Sequence, residues 1–377
     1  MIMTRLNILC CFIFLCSGIY AQTETKAAYT HADTVRGSIS PERSWWNVLK
    51  YDLTVKPDFD SRTISGTTII QFSVVKAGTV MQIDLQNPLE IDSIQIGNTI
   101  KKNRSIKELF TYTNYNKPFK KVFNSYFLDV SGRLTGKIAA LKIYYHGKPK
   151  SAANPPWDGG WIWKKDKNGN PWMSVACQGT GASIWYPCKD HQSDEPDSGA
   201  ILRIIVSENL SGIGNGILKE KKTVSPGLTS YTWEVKNPIN NYCIVPYIGK
   251  YVNFNEVYKG EKGNLDMNYW VLDYNLEKAK KQFADAPRMM KALEYWFGPY
   301  PFYKDGYKLV ESPHLGMEHQ SAIAYGNGYI NGYRGTDLSK SGWGLKWDFI
   351  IVHESGHEWF ANNITTNDLA DMWVHEG

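Results

Sequence analysis

Cysteine is scarce in this sequence: six in 377 residues, three of which (Cys10, Cys11 and Cys16) fall close to the N-terminus. Cys177, Cys188 and Cys243 remain, and three thiols imply no disulfide framework. Cys177 and Cys188 read as buried small apolar residues, with export leaving a bridge open. No strong excess of one charge is present either. Lys plus Arg number 42 against 37 Asp plus Glu, a net +5 spread along the chain, so nucleic acid is not an implied partner. The densest basic group, Lys117, Lys120 and Lys121, is interrupted by Pro118 and Phe119 and reads as a solvated loop. Internal repeats and low-complexity tracts are missing, which excludes solenoids and disordered tails. The apolar run Leu6 to Tyr20 is roughly 15 residues, short of the ~20 that a spanning helix needs, so no stable membrane span is expected once it is removed. It follows Arg5 and ends at small Ala21, the order of a secretory signal peptide over residues 1–21. Export to a periplasmic or extracellular location is the expectation. A lipoprotein anchor is the weaker reading, because Leu15 stands where lipid attachment before Cys16 wants a small residue.

Aromatic residues, by contrast, are plentiful: 14 Trp, 23 Tyr and 14 Phe suit wide β-sheet faces. After a polar segment at 22–44, short stretches alternate apolar and polar residues. Tyr51, Leu53 and Val55 do so, as do Thr68, Ile70, Phe72 and Val74, then Leu141, Ile143 and Tyr145, and Tyr231, Trp233 and Val235. That period belongs to half-buried strands and predicts one antiparallel β domain over 45–258. The period then changes. Ala279, Phe283, Ala286, Met290, Leu293 and Phe297 recur at helical spacing, with Pro287 kinking the helix or starting a second one. Further helices are expected from about Leu345 to Asn362, and from an Asn367 cap into Glu376. Residues 259–377 thus form a second, α+β unit.

His353, Glu354, Ser355, Gly356 and His357 read H-E-x-x-H within the predicted helix. Residues four apart share a helix face, so both imidazoles can reach one ion while Glu354 projects beside them. Glu376, nineteen residues after His357, supplies the remaining protein ligand. Two His and one Glu leave a position open for water, the signature of a catalytic Zn2+ site holding one ion. Ser355 lacks a G-x-S-x-G elbow, and Gly179 and Gly181 lack the strand-to-helix context of a phosphate cradle. The Trp157–Asp158–Gly159–Gly160 turn reads as a tight loop packed by its Trp, with a channel lining as the alternative.

HESGHEWF, followed at fixed distance by Glu376 in WVHEG, resembles the gluzincin signature of the zinc peptidases related to aminopeptidase N and leukotriene hydrolase. Gly316, Met317, Glu318, His319 and Gln320 resemble that family's G-x-M-E-N exopeptidase motif, with His319 where Asn is usual. Cys177 and Gln178, with Pro187 and Cys188, resemble the strand and loop through which the β domain reaches the active site. The segment DTVRGSISPERSWWNVLKYDL is similar to an exported bacterial branch. The resemblance implies a saddle-like N-terminal β domain followed by a partial thermolysin-like zinc peptidase domain. It implies His353, His357 and Glu376 as zinc ligands, Glu354 as general base to a zinc-bound water, and Glu318 as acceptor of the substrate's free α-amine. Gln178 would be a second acceptor, and Gly316 and Met317 would offer binding surface to the peptide. An oxyanion-stabilising Tyr and a helical domain are implied beyond Gly377, so the chain reads as a fragment of a longer peptidase. Two rivals stand beside this aminopeptidase reading: a zinc endopeptidase, and an exported non-catalytic β-sandwich binding fragment with a degenerate zinc lobe.

Overall fold

The computed structural model describes residues 28–99 and 110–376. The expected signal peptide over 1–21 lies outside them. Among the described residues no helix is long and apolar enough to cross a membrane.

Strand Trp46–Asp58 turns Val48, Tyr51, Leu53 and Val55 into the core. The odd step between Val48 and Tyr51 is a bulge, where pairing with Thr63–Val74 skips from Val48 to Lys50. These two strands sit centrally in an eight-stranded sheet that also contains Glu90–Thr99, Phe110–Asn114, Ile138–Gly147, Ala200–Ser207, Ile217–Ser225 and Leu228–Val235. One pair departs from the antiparallel expectation: Trp46–Asp58 runs parallel to Ala200–Ser207, with Tyr51 opposite Ala200. Alternation reports which face a residue occupies and is silent on strand direction. A four-stranded sheet carries Gly160–Lys165 and Pro171–Ala176 and delivers the chain to Gln178. The three remaining cysteines are buried and unbridged.

A five-stranded sheet follows, ordered Tyr251–Gly260, Gly263–Leu272, Tyr307–Glu311, Ile323–Tyr325, Gly316–Met317. The boundary expected near 258 falls inside its first strand, so the change of sheet lies earlier, between Gly249 and Tyr251. This sheet and the helices form a second core around Met267, Tyr269, Phe283, Met290 and Ile351. Strand Gly316–Met317 belongs to the second sheet, yet Met317 packs in the first core with Ala322 and Ala324. The seam between the two cores therefore runs beside the G-M-E-H segment. The β-then-α+β architecture expected from the sequence is the one observed.

The helices are shorter than their periodicity suggests. The stripe from Ala279 is split into Leu276–Gln282 and Asp285–Phe297, with Pro287 in the first turn of the second, where its missing N–H costs nothing. Phe297 is half exposed and meets Phe360 edge-on at 5.0 Å rather than entering the core. The helix expected over 345–362 spans only Phe349–Gly356. Asp348 fixes its start by accepting from the Ile350 and Ile351 N–H groups, and Tyr325, Gln282 and Asn327 hold that carboxylate in place. Gly356, a poor helix former, ends it. The last segment is a 3-10 turn at Leu369–Asp371, capped by Asp368 rather than Asn367, and a single helical turn at Trp373–Glu376.

Candidate metal centre

His353 lies in the last turn of the Phe349–Gly356 helix, and His357, still αR, caps it. Their Nε2 atoms stand 3.4 Å apart, and Glu376 Oε2 is 3.8 Å from each. His357 Nδ1–H donates to the Phe360 carbonyl at 3.1 Å, which leaves Nε2 as a lone pair. The His353 ring stacks on Phe349 at 5.3 Å, and burial followed by the neighbouring His357 lowers its pKa, favouring the neutral ligand form. The carboxylate lies too far from either imidazole for a hydrogen bond, yet it faces both nitrogens from the third corner of one triangle. The three form a donor set for one cation. Bonds of about 2.0–2.1 Å in a tetrahedron place ligand atoms about 3.3 Å apart, so the observed triangle fits zinc after small contraction.

Glu354 brings an oxygen within 4.8 Å of both ring nitrogens. It is buried, and burial, then the charges of Glu318 and Glu376, push its pKa well up. Gly316 is pressed against it: a Cβ there would stand 2.2 Å from Glu354 Oε1. Ser355, inside the motif, is spent on a 2.7 Å bond with Tyr307 and has no catalytic geometry.

Glu318 is 3% exposed, with Oε1 accepting from Gln178 Nε2 at 2.6 Å and Tyr242 Oη at 2.8 Å. The Gln178 amide nitrogen holds Glu318 by this bond, which leaves its oxygen free for the acceptor role that the resemblance implies. His319 makes its contact away from that carboxylate. Tyr247 donates its one hydroxyl hydrogen to the Ala322 carbonyl at 2.7 Å, so His319 Nδ1, 2.5 Å away, donates to Tyr247. Asn362 ties the segment after the helix to this strand, donating to the Glu318 carbonyl at 2.8 Å and accepting from Cys243.

A cleft of about 660 Å³ contains Gln178, Gly316, Met317, Glu318, His353, Glu354, His357 and Glu376. All eight residues singled out in the sequence are thus brought together. Pro187 and Cys188 are buried and do not line it. Trp157 does, at 64% exposure, against the expectation that its side chain packs the turn. Tyr242, Asp348 and the Phe360 carbonyl were missed; of these Asp348 alone carries a local signal, an acidic residue directly before an apolar helical run.

The family description for the Peptidase M1 N-terminal domain matches residues 47–243. This chain belongs to the M1 peptidases. Among M1-related proteins, leukotriene A-4 hydrolase of Xenopus laevis is 22% identical over 347 residues, covering 90% of this chain and 51% of its own length. Leucine aminopeptidase 2 of Neosartorya fischeri is 24% identical over 336 residues, covering 85% and 47%. The chain spans about half the length of these curated relatives. In three dimensions it is similar to an M1 zinc metallopeptidase from Deinococcus radiodurans, with a TM-score of 0.68, 17% identity, and 89% of this chain and 69% of that one covered. With 89% of the chain covered, that likeness of fold extends beyond the matched β domain.

Proposed function

We propose that this chain carries the β domain and metal-binding segment of a zinc aminopeptidase, acting on peptides with a free N-terminus. The observation that carries the reading is the placing of a buried carboxylate, Glu318, in the same cleft as the His353–His357–Glu376 donor set. A structural neighbour bound to the substrate Tyr-Ser-Ala, and relatives named as aminopeptidases, support it.

His353, His357 and Glu376 would hold the zinc. Bound there, it supplies Lewis acidity that polarises a carbonyl and lowers the pKa of water to about 7. Glu354 accepts a proton from the attacking water and returns it to the leaving amine, a role its burial and raised proton affinity suit. Glu318 pairs with the substrate ammonium, and the Gln178 oxygen accepts a second hydrogen bond from it. An acetylated terminus would leave Glu318 buried without its cation and without room, which is costly. A buried carboxylate reserved for a free amine favours removal of single N-terminal residues over internal cleavage.

The test uses the intact protein. Chelation is expected to abolish hydrolysis of amino-acid anilides, with zinc restoring it at one ion per chain, and N-acetylated anilides to be poorer substrates by on the order of 10⁴-fold. Equal cleavage of blocked substrates would identify an endopeptidase instead; zinc at one per chain without hydrolysis would identify a binding fragment.

Gly316→Ala gives a second expected result. The new methyl must displace the Glu354 carboxylate, and misplacement by about 1 Å costs about 100-fold in kcat. Zinc content should be unchanged, because the ligands do not touch that position. Unaltered turnover would mean that Glu354 does not act from where it stands.

A further inference from the structure

We propose that Trp157 forms a wall of a subsite that selects a bulky apolar or aromatic side chain on the first substrate residue. The inference rests on the aminopeptidase reading. Its starting point is the exposure of the indole: Trp157 is 64% exposed, although Trp161, four residues further along, is fully buried.

The turn presents this side chain from a fixed position. Asp158 Oδ2 accepts from the Ala153 and Asn154 N–H groups at 2.5 and 2.9 Å, and the Trp157 N–H donates to the Asn154 carbonyl at 3.1 Å. Gly159, at φ +65°, lies so close to the next loop that a Cβ would stand 2.3 Å from Thr180 Oγ1. Thr180 is two residues past Gln178, which holds Glu318. The Trp157 turn is thus locked against the loop that grips the amine, and the first side chain leaves from the carbon that bears that amine.

The chemistry of the cleft agrees. From the other side of the seam come Phe349, stacked on His353, and Tyr333, edge-on to Phe349 at 5.6 Å, together with Leu315 and Met317. Among the described residues no Lys or Arg lines the cleft, and its only carboxylates are Glu318, Glu354 and Glu376. With those engaged by amine, proton transfer and metal, an aromatic or large aliphatic group is what the remaining surface fits.

The experiment compares the intact protein with Trp157→Ala and Trp157→Phe on phenylalanine, leucine and alanine anilides, which share one leaving group. The parent should favour phenylalanine and leucine. Trp157→Ala should lower their kcat/KM at least about 10-fold relative to alanine, chiefly through KM, with zinc content unchanged, and Trp157→Phe should restore most of the preference. An equal effect on all three substrates, or none, overturns the proposal. Calorimetric binding of phenylalaninamide against alaninamide gives a readout without turnover. If the parent hydrolyses nothing yet prefers phenylalaninamide through Trp157, the aminopeptidase reading falls and the subsite stands. If binding shows no such preference, the subsite falls.

Discussion

Glu354→Gln is expected to lower kcat by about 10²- to 10⁴-fold while the protein keeps its zinc. The amide has the size of the carboxylate and preserves the contact with Gly316, but it cannot take up a proton. The informative comparison is Glu376→Gln. Both carboxylates lie near both imidazoles, within 4.8 Å for Glu354 and at 3.8 Å for Glu376, so proximity alone does not divide their roles. Exposure does. Glu376 is half exposed at the end of a one-turn helix, suited to meeting an ion, whereas Glu354 is enclosed where its proton affinity rises. Glu376→Gln should therefore weaken metal retention, and Glu354→Gln should not. Metal loss in both variants, measured by atomic absorption after dialysis, would put Glu354 in the ligand set and leave the reaction without its base.

The second large effect concerns stability. Arg43 is fully buried and pairs with Asp84 at 2.6 Å, whose side chain is 6% exposed. The same guanidinium donates to the Arg36 and Ser38 carbonyls, fastening the segment ahead of the first strand, and Arg36 in turn reaches the Gly179 carbonyl beside Gln178. Arg43→Met is expected to cost about 3–5 kcal/mol in denaturant unfolding, because Asp84 would keep its charge without a counter-ion. Removing the charge as well, as Arg43→Met with Asp84→Asn, should recover part of that loss, because the amide oxygen can still accept from Gln82 and Ser125. A single variant as stable as the parent would mean that water reaches Asp84.

The parts of the site that could be read from the sequence are those whose geometry is local. His353 and His357 share a face because a helix turns every 3.6 residues, and nothing distant is needed to bring their nitrogens to 3.4 Å. Glu376 is reached from its distance to His357 once a third ligand is sought, whereas Glu318 and Gln178 needed a family pattern, since spacing by itself does not say which loops meet. Tyr242 escaped both routes: it reaches Glu318 across 76 residues of chain, from a loop with no motif. The Phe360 carbonyl escaped for another reason, since a backbone acceptor has no residue identity to recognise. The start of the Phe349–Gly356 helix is less legible because its signal is partly tertiary: Asp348 caps it while Tyr325, Gln282 and Asn327 orient the carboxylate. Trp157 was assigned to packing because a turn tryptophan normally covers its own loop. Here Asp158 and Gly159 hold the turn from the other side, which frees the indole.

Glu318 and its amide partner are anchored in different bodies of the protein. Gln178 follows a strand of the β domain, Glu318 follows a strand of the five-stranded sheet, and two bonds to one carboxylate oxygen cross between them, 2.6 Å from Gln178 and 2.8 Å from Tyr242. A slide of the two bodies by even one ångström would loosen the grip on the ammonium before disturbing the two histidines, which ride on one rigid helix. Substitutions far from the cleft that soften this junction should consequently erode discrimination for free termini first and metal affinity last.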